Sequence, residues 1–419
     1  MPIRSAALAL SVVVVWGVNF VVIDEGLRGI PPVLFAAVRF VLVAIPAVFL
    51  VPRPQASWQA VTAVGLFPDV GIAKAQNAVL PGSVPDDRQI LLGGVGSDIW
   101  HGPADPPDEL WMVTDRGPRG EDDNGKTKQS FAIPEYTPLI LHVRLGAADG
   151  NGLEVVEILE TIPIVGQSGK PVTGLPNMSS RDDQPVDYRA KSKLPFNPSG
   201  LDPEGLARTP NGDFWIAEEY GPSLVHLDPT GKVLTRFVPQ GVDLTGADYP
   251  VVQLLPPVFA KRADEGGFEG LTASPDGSTL YLAMQGPLSN PNSNASEKSR
   301  QMRVLAFDVA SEQLTAEYVY RFELVRTFDP SKKADPEDMK VSALALSADG
   351  ELLVIERTPN VARLYLASLR AATNILGTPW DDPATRPSLE ALESLANVFI
   401  LPLAKTLVVD LAQLPGVPD

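Results

Sequence analysis

The chain has 419 residues, of which 44% are hydrophobic and none is cysteine, and its formal net charge at pH 7 is −17. This length suits one large domain or two ordinary ones, and a chain without cysteine has no disulfide, no zinc–thiolate site and no cysteine nucleophile. The negative charge argues against a nucleic-acid partner, because binding to a phosphate backbone needs a basic face. A small phosphate-bearing molecule can still bind if a cation supplies positive charge.

The first 66 residues differ from the rest in charge and hydropathy. Four arginines against two acidic residues give this segment a charge of +2, which leaves −19 for the remaining chain. Residues 6–23 are an uncharged apolar stretch, and residues 30–52 are a second one that is interrupted only by Arg39. The difference indicates that two kinds of polypeptide are joined here.

Two apolar stretches of this length predict a membrane anchor. Roughly 20 apolar residues in a helix cross a bilayer, so we expect a two-helix transmembrane hairpin over residues 1–54, with residues 6–52 in contact with the membrane. A linker and entry strand over residues 55–85 should follow. A secretory signal peptide is the alternative for the first stretch, although no small-x-small cleavage site follows Ile23. The sequence VVVVWGVNFVVIDEGLRGIPPVLFAAVRF (12–40) resembles the first two helices of the drug/metabolite transporter superfamily. Such transporters have about ten helices and only two are expected here, so we interpret the segment as an anchor or a fusion remnant and expect no transport.

Beyond these segments the pattern changes to short strands. Runs such as LILHVRL, LYLAM and LLVIER recur between Gly, Pro, Asn and Asp, which predicts an all-β fold. One unit is repeated: Glu204 and Glu269 each begin a Glu-Gly-Leu sequence, and each is followed eight residues later by a turn glycine. Ser342 stands at the same interval from Gly350. Such repetition predicts a β-propeller of about six blades, and only residues 388–397 have the pattern of a helix.

The repeated acidic residues predict a metal site. The first strand of a propeller blade lines the central channel, so residues that begin the repeats should converge there. Glu204 and Glu269 hold this place, and Ser342 and Ser97, which is followed by Asp98, hold it in the other copies. A second place closes the next strand, and it is held by Asp115, Glu219, Gln285 and Glu356. Converging carboxylates need a proton or a cation, and oxygen ligands with no Cys or His cluster suit Ca²⁺. Capping of backbone N–H groups in a packed channel is the structural alternative.

Three segments also resemble one known family. GGVGSDIWHGPADPPDELWMVTDRGPRGED, LDPEGLARTPNGDFWIAEEYGPSLVHLDPTGKVL and GFEGLTASPDGSTLYLA resemble the bacterial phytase-like esterases ("esterase-like activity of phytase"). The resemblance runs from about residue 68 to the end and implies a propeller domain at residues 86–419, export from the cell and hydrolysis of ester or phosphoester bonds. It also implies a further repeat after the last residue, and hence a propeller that is C-terminally incomplete. The family's acidic positions, which imply the metal ligands, correspond to Asp98, Asp115, Glu204, Glu219 and Glu269.

These observations favour a metal-dependent hydrolase of phosphate esters that works at the acidic mouth of the channel. We predict Ca²⁺ as the cofactor, Glu204 or Glu269 as the general base, and catalytic roles for Asp115 and Arg116. Arg116 would hold phosphate oxygens, with a structural ion pair as the alternative. His101 is the one histidine that we consider as an acid or base.

Two other functions stay open. A lactonase-like or carboxylester hydrolase would use the same ring of residues, and a non-catalytic propeller would only bind a ligand. The sequence has no Gly-x-Ser-x-Gly elbow, no His-Glu-x-x-His and no P-loop. We expect a small-molecule ester as the partner, no nucleic acid, and a membrane-anchored or exported chain. The positive-inside rule puts both ends of the hairpin in the cytoplasm, whereas the phytase-like resemblance implies export.

Overall fold

A computed structural model describes residues 64–66, 95–118, 130–148, 153–178, 182, 184–187, 191–263, 266–331 and 334–411. All of them lie in one unit of the chain, Ala63–Asp419. The predicted hairpin over residues 1–54, its membrane segment 6–52 and nearly all of the linker over residues 55–85 lie outside the described residues. Within the described part, no helix is both long and apolar enough to span a bilayer.

The described residues form twenty strands, eighteen of which belong to four large sheets. The first seven are β1 (Val64–Leu66), β2 (Val95–Trp100), β3 (Glu109–Thr114), β4 (Ser130–Phe131), β5 (Leu139–Ala148), β6 (Leu153–Pro163) and β7 (Val186–Asp187). The next five are β8 (Pro203–Arg208), β9 (Phe214–Glu218), β10 (Ser223–Leu227), β11 (Val233–Pro239) and β12 (Val251–Leu255). The last eight are β13 (Phe268–Ala273), β14 (Thr279–Met284), β15 (Gln301–Asp308), β16 (Gln313–Arg321), β17 (Lys340–Leu346), β18 (Leu352–Arg357), β19 (Ala362–Ser368) and β20 (Ala404–Asp410).

Each large sheet contains one antiparallel four-stranded meander, which is the blade of a propeller. The four blades, in chain order, are β2-β3-β5-β6, β8-β9-β10-β11, β13-β14-β15-β16 and β17-β18-β19-β20. Strands β1 and β12 extend the first and second blades as parallel outer strands, and β4 pairs with β7 in a separate small sheet. The helices α1 (Ser293–Ser296) and α2 (Val325–Phe328) are single turns.

The first strand of each blade is its inner strand. Strand β8 contacts β2 on one side and β13 on the other, and β13 in turn contacts β17. The described residues show no contact of similar extent between β17 and β2, so the four inner strands follow one another in an open arc. Residues at equivalent places of the four inner strands are therefore brought side by side.

The core lies between the blades. Strands β9 and β13 are buried at every position because neighbouring blades cover both of their faces. Trp215 and Phe237 of the second blade pack on Phe307 of the third, with ring centroids 5.4 and 5.3 Å from that of Phe307. The alternation of polar and apolar residues that marks a half-exposed strand is absent from these strands for the same reason.

The sequence prediction of an all-β propeller is correct, but the described residues contain four blades and not about six. The predicted number of blades was based on the length of the segment. Residues 164–202 and 369–403, where they are described, contribute no strand to a blade. Residues 388–397, which were expected to form a helix, form two 3₁₀ turns instead, Leu389–Ala391 and Leu395–Val398.

Candidate functional site

Every inner strand has a β-bulge at the same place. The bulged residues are Glu204 in β8, Glu269 in β13, Ser342 in β17 and the pair Gly96 and Ser97 in β2. A bulge places two residues opposite one and changes the direction of a side chain, and bulges are frequent next to active sites. The repeated glutamates of the sequence are therefore the residues that the bulges present at the end of the inner strands.

The residue after each bulge lies against the next blade. A Cβ atom added to Gly205 would lie 2.8 Å from the Cβ of Leu271, and one added to Gly270 would lie 2.8 Å from the Cβ of Leu344. Only a glycine allows this approach without displacing the neighbour. Each residue of the Glu-Gly-Leu repeat therefore has its own role. The glutamate belongs to the site, the glycine packs closely on the next blade, and the leucine is in contact with the previous blade.

Asp98 holds the place of this glycine in β2. Its two carboxylate oxygens accept the N–H groups of Leu206, in β8, at 2.8 Å and of Ile99 at 2.9 Å. Burial raises the pKa of Asp98 to about 8, although these two hydrogen bonds lower it. Asp98 thus links two inner strands and lies one residue beyond the bulge, and its predicted role as a metal ligand stays a prediction.

The second set of equivalent places needs one correction. Glu356 pairs with Val341, and its counterpart in the second blade is Glu218, which pairs with Pro203. The counterpart of Glu219 is consequently Arg357. Glu356 is fully buried, and it binds Lys405 at 2.5 Å and Tyr320 at 2.8 Å, both away from the inner strands. The second set is therefore Asp115, Glu219, Gln285 and Arg357.

Three carboxylates form the centre of the site. Asp202, Glu204 and Glu219 each have an oxygen within 4.8 Å of the others. Glu204 lies on the bulge, Asp202 lies two residues before it, and Glu219 donates its N–H to the Asp202 carbonyl at 3.1 Å. Asp202 was not predicted. It is fully buried, and the sequence signal that could have identified it is its Asp-x-Glu spacing to Glu204.

The three carboxylates lie close enough to oppose one another's ionisation. Burial, followed by the charges of Asp202, Glu269 and Glu219, raises the pKa of Glu204 well above its usual range. Burial and the charges of Asp202 and Glu269 raise the pKa of Glu219 to about 8, although Arg116 and Arg262 lower it. No hydrogen bond from the described residues reaches either carboxylate. Two of the three residues are buried and Glu204 is half-buried, and oxygen donors of this kind fit a hard divalent cation, so the triad could hold a metal.

Arg116 and Asp115 lie beside this triad. The Arg116 side chain is only 2% exposed, and its guanidinium lies 3.5 Å from Asp202 Oδ2. The backbone N–H of Arg116 donates to Asp202 Oδ1 at 3.1 Å. The structure thus places Arg116 in the ion pair that the sequence left as the alternative to phosphate binding. Asp115 is half-buried, accepts the N–H of Gly117 at 2.7 Å and contributes to the raised pKa of Glu204.

Two basic residues of the fourth blade, Lys340 and Arg357, lie near Glu269. Glu269 accepts a hydrogen bond from Gln285 Nε2 at 2.7 Å, and Gln285 Oε1 accepts one from Lys340 Nζ at 2.5 Å. Burial raises the pKa of Glu269 to about 7, although the Gln285 hydrogen bond, Arg357 and Lys340 lower it. Arg357 also donates to Ser342, the residue on the β17 bulge. A cavity of about 590 Å³ lies beside these groups and is lined by Gln285, Lys340, Arg262 and residues of α1.

The histidines lie elsewhere. His101 is exposed and contacts the Pro106 carbonyl at 3.1 Å. His142 and His226 stack on Trp111 and Trp215, with ring centroids 4.1 and 4.0 Å apart. None of the three contacts the acidic triad, so an acid–base role for His101 has no support from its position.

Comparisons with known proteins agree with both resemblances seen in the sequence. A family model described as "Phytase-like: Esterase-like activity of phytase" matches residues 90–419. An uncharacterized secreted protein of Arthroderma benhamiae is 26% identical over 329 residues, which cover 68% of this chain and 62% of that protein. The chain thus spans less than two thirds of the length of this relative. A probable amino-acid metabolite efflux pump of Escherichia coli is 51% identical over 63 N-terminal residues, which cover 15% of this chain and 21% of the pump.

Solved structures of similar shape include propellers. The Dos1 propeller covers 61% of this chain and 50% of its own, with 11% identity and a TM-score of 0.22. The β-propeller domain of Cps50 (Swd1) from Myceliophteria thermophila covers 66% of this chain and 68% of its own, with 14% identity and a TM-score of 0.26. Scores of this size carry no argument, and the fold assignment depends on the sheets described above.

Proposed function

The chain belongs to the phytase-like family described as "esterase-like activity of phytase", and from this membership we propose that it is a metal-dependent hydrolase of phosphate esters. The observation that carries the proposal is the division of charge at the inner strands. Asp202, Glu204 and Glu219 face the site from one side, and Lys340 and Arg357 approach from the other. A cation and an anionic substrate group both find complementary charge in such an arrangement.

The triad Asp202, Glu204 and Glu219 would hold the metal, and we propose Ca²⁺ because all the donors are hard oxygens. Bound there, the cation supplies positive charge that stabilises the phosphoryl oxygens as negative charge develops on them. Glu269 and Asp115 border the triad, and we keep them as further candidates for its ligand set.

Chain residues would orient the substrate and move the proton. Lys340 and Arg357 attract phosphate oxygens and fix their direction. Glu269 accepts the proton of the attacking water, and its pKa of about 7 suits a base near neutral pH. The oxygen of that water adds to phosphorus, the ester P–O bond breaks, and the leaving alkoxide takes up the proton that Glu269 accepted. Glu204 is the alternative base.

The test is hydrolysis of p-nitrophenyl phosphate and phytate by the full chain, with added Ca²⁺ or with a chelator. We expect turnover that requires the cation. Glu269→Gln should lower kcat by about 100-fold or more, the usual contribution of a general base. Glu204→Gln and Glu219→Gln should shift the Ca²⁺ dependence to higher concentrations. Turnover that is unchanged by chelation and by both triad substitutions would contradict the proposal.

Uncharged esters such as p-nitrophenyl acetate distinguish the alternative function. An uncharged ester brings no anionic group for Lys340 and Arg357 to bind, so these two residues favour a phosphate ester over a lactone or a carboxylester. Hydrolysis of the acetate alone would favour that alternative, and binding without turnover of any ester would favour a non-catalytic propeller.

We also propose that the chain is membrane-anchored or exported. The secreted relative supports export, and the short match to efflux pumps supports a membrane anchor. Cell fractionation of the full chain tests it, and recovery in the cytosol alone would contradict both.

A further inference from the structure

The outer edge of the third blade carries two neighbouring arginines. Arg300 directly precedes β15, and Arg321 is the last residue of β16. Both side chains are half-buried. They line a cavity of about 480 Å³ together with the exposed Lys298 and with Asn292 and Asn294.

The described residues do not neutralise this pair. The Arg321 side chain makes no hydrogen bond or ion pair with any of them, and its Nε atom is buried without a partner. Arg300 donates from Nε to the Phe322 carbonyl at 2.8 Å, which satisfies the hydrogen bond but leaves the charge. Burial and the charge of Arg321 lower the pKa of Arg300, although the carboxylates of Glu323 and Glu356, which are paired with Lys405, raise it. Like charges held together away from bulk water are unfavourable unless an anion joins them.

Two acidic residues border the cavity, but one is already paired with another arginine and the other is exposed to solvent. Glu390 borders the cavity, but its carboxylate lies 2.8 Å from a guanidinium nitrogen of Arg303. Glu393 also borders the cavity and is exposed to solvent. Neither forms an ion pair with Arg300 or Arg321 among the described residues.

Other buried arginines are paired with carboxylates. Arg236 lies 2.6 Å from Glu218, and Arg262 lies 2.9 Å from Asp182. In a chain with 51 acidic and 34 basic residues, a carboxylate is available for nearly every arginine. Arg300 and Arg321 form no ion pair with a carboxylate among the described residues, and both line an open cavity.

We propose that Arg300, Arg321 and Lys298 form a binding site for a tetrahedral oxyanion, that is, a phosphate or sulfate group. A guanidinium presents several N–H donors in a fixed plane, which suits such a group. The site is separate from the acidic triad. Residues 292–298 lie between the two cavities: Ser293 and Ser296 line the one beside Lys340, and their neighbours line this one. The inference therefore does not depend on the hydrolase proposal.

Titration calorimetry of inorganic sulfate into the full chain tests the site. A chelator is present so that the triad holds no cation, and chloride keeps the ionic strength constant. We expect saturable binding by the unsubstituted chain and a loss of affinity of about tenfold or more in Arg321→Gln, the loss expected for a charge-assisted hydrogen bond. Because the Arg321 side chain has no partner among the described residues, this substitution should leave the Tm unchanged.

Two further variants serve as controls. Arg370→Gln removes one positive charge from an exposed position after β19 and should keep the affinity within about twofold. Arg321→Lys keeps the charge without the planar donors and should bind better than Arg321→Gln. Orthophosphate should give the same ranking. Undiminished sulfate affinity in a folded Arg321→Gln chain overturns the proposal, and so does the lack of saturable binding by the unsubstituted chain.

Discussion

Carboxyl groups that are buried beside one another must be neutralised by a proton or by a cation. Burial and neighbouring carboxylates raise the pKa of Glu219 from near 4.5 to about 8, and they also raise that of Glu204. Without a cation, the folded protein holds protons on these groups at pH values where the unfolded chain has lost them. Protons and a cation therefore compete for these carboxylates, and the dependence of stability on pH measures that competition.

We predict that the cation-free protein loses stability as the pH rises from about 4.5 to about 8, the two limits for Glu219. The loss is up to about 1.4 kcal/mol of unfolding free energy per pH unit for each such carboxyl group, because the folded state binds the extra proton. Ca²⁺ should reduce this slope by the share that the triad contributes, since it binds the charged form of these carboxyl groups. The measurement is the Tm across this range, with Ca²⁺ or with a chelator.

Two variants locate the origin of the slope. Glu219→Gln should make the slope in chelator shallower, because Glu204 and Asp98, whose pKa values are also raised, still contribute to it. Glu160→Gln, on an exposed position of β6, should leave the slope unchanged. A Tm in chelator that does not change over this pH range would show that the triad is neutralised in some other way.

Lys340 is the residue that distinguishes a charged substrate from an uncharged one. Its Nζ is held by Gln285 at 2.5 Å, so its charge is fixed next to Glu269. We predict that Lys340→Gln lowers kcat/KM for phosphate monoesters by about tenfold or more and leaves any turnover of uncharged esters unchanged. Lys261→Gln removes the same charge from an exposed position and is the control. Equal losses on both substrates would mean that Lys340 supports the structure of the site and does not bind the phosphate group.

Single residues show how far the sequence could predict the site. Glu204 and Glu269 were identified because repetition marks them. Asp202 has no acidic counterpart in the other repeats, so repetition does not mark it. It pairs with Arg116, which is distant in the sequence, and such a contact cannot be predicted from the sequence. Glu356 was aligned with Glu219 because both are acidic, but strand pairing decides equivalence, and it assigns Arg357 to that place.

The bulge and the glycine after it act as one element, and they set how closely the blades approach. We predict that Gly205→Ala destabilises the fold by about 1–3 kcal/mol, because its Cβ would lie 2.8 Å from those of Ala217 and Leu271. The measurement is the midpoint of denaturant unfolding. Gly286→Ala is the control, because a Cβ there meets no atom within 4 Å. Similar midpoints for the two variants would mean that the blades can move apart freely.

Strands and their order could be predicted, whereas the number of blades could not. Alternation and turn residues identified LILHVRL and LLVIER, which are parts of β5 and β18. The segments over residues 164–202 and 369–403 have no such pattern, and nothing in their composition shows that they serve as long connections. The expected helix forms as 3₁₀ turns, because its three leucines, Leu389, Leu392 and Leu395, pack in one apolar cluster and recur at every third residue, the period of a 3₁₀-helix.

Across the whole molecule, the blades divide the charge of the site between them. At the end of the second strand, the equivalent residue is Asp115 in the first blade, Glu219 in the second, Gln285 in the third and Arg357 in the fourth. At the bulge, Glu204 and Glu269 lie between blades that carry serine. A radial fold can therefore vary its ligands blade by blade while the backbone stays the same, which explains how one site attracts a cation and an anion together.

The last blade has an open edge. In the described part of the chain, β20 pairs only with β19. Its Leu407 and Val408 are 49% and 54% exposed, and the nearby Leu401 is 59% exposed. An exposed apolar edge strand can pair with another copy, and natural proteins usually block such edges with charge.

We predict that this edge causes the protein to associate as its concentration rises. Val408→Lys should lower the apparent mass measured by light scattering at high concentration, because a buried lysine is costly in a contact between strands. Ala371→Lys adds the same charge at an exposed position outside the strand and should leave association unchanged. The Tm of both variants should stay close to that of the unsubstituted chain, since both positions are exposed. A mass of the unsubstituted chain that is independent of concentration would contradict the prediction.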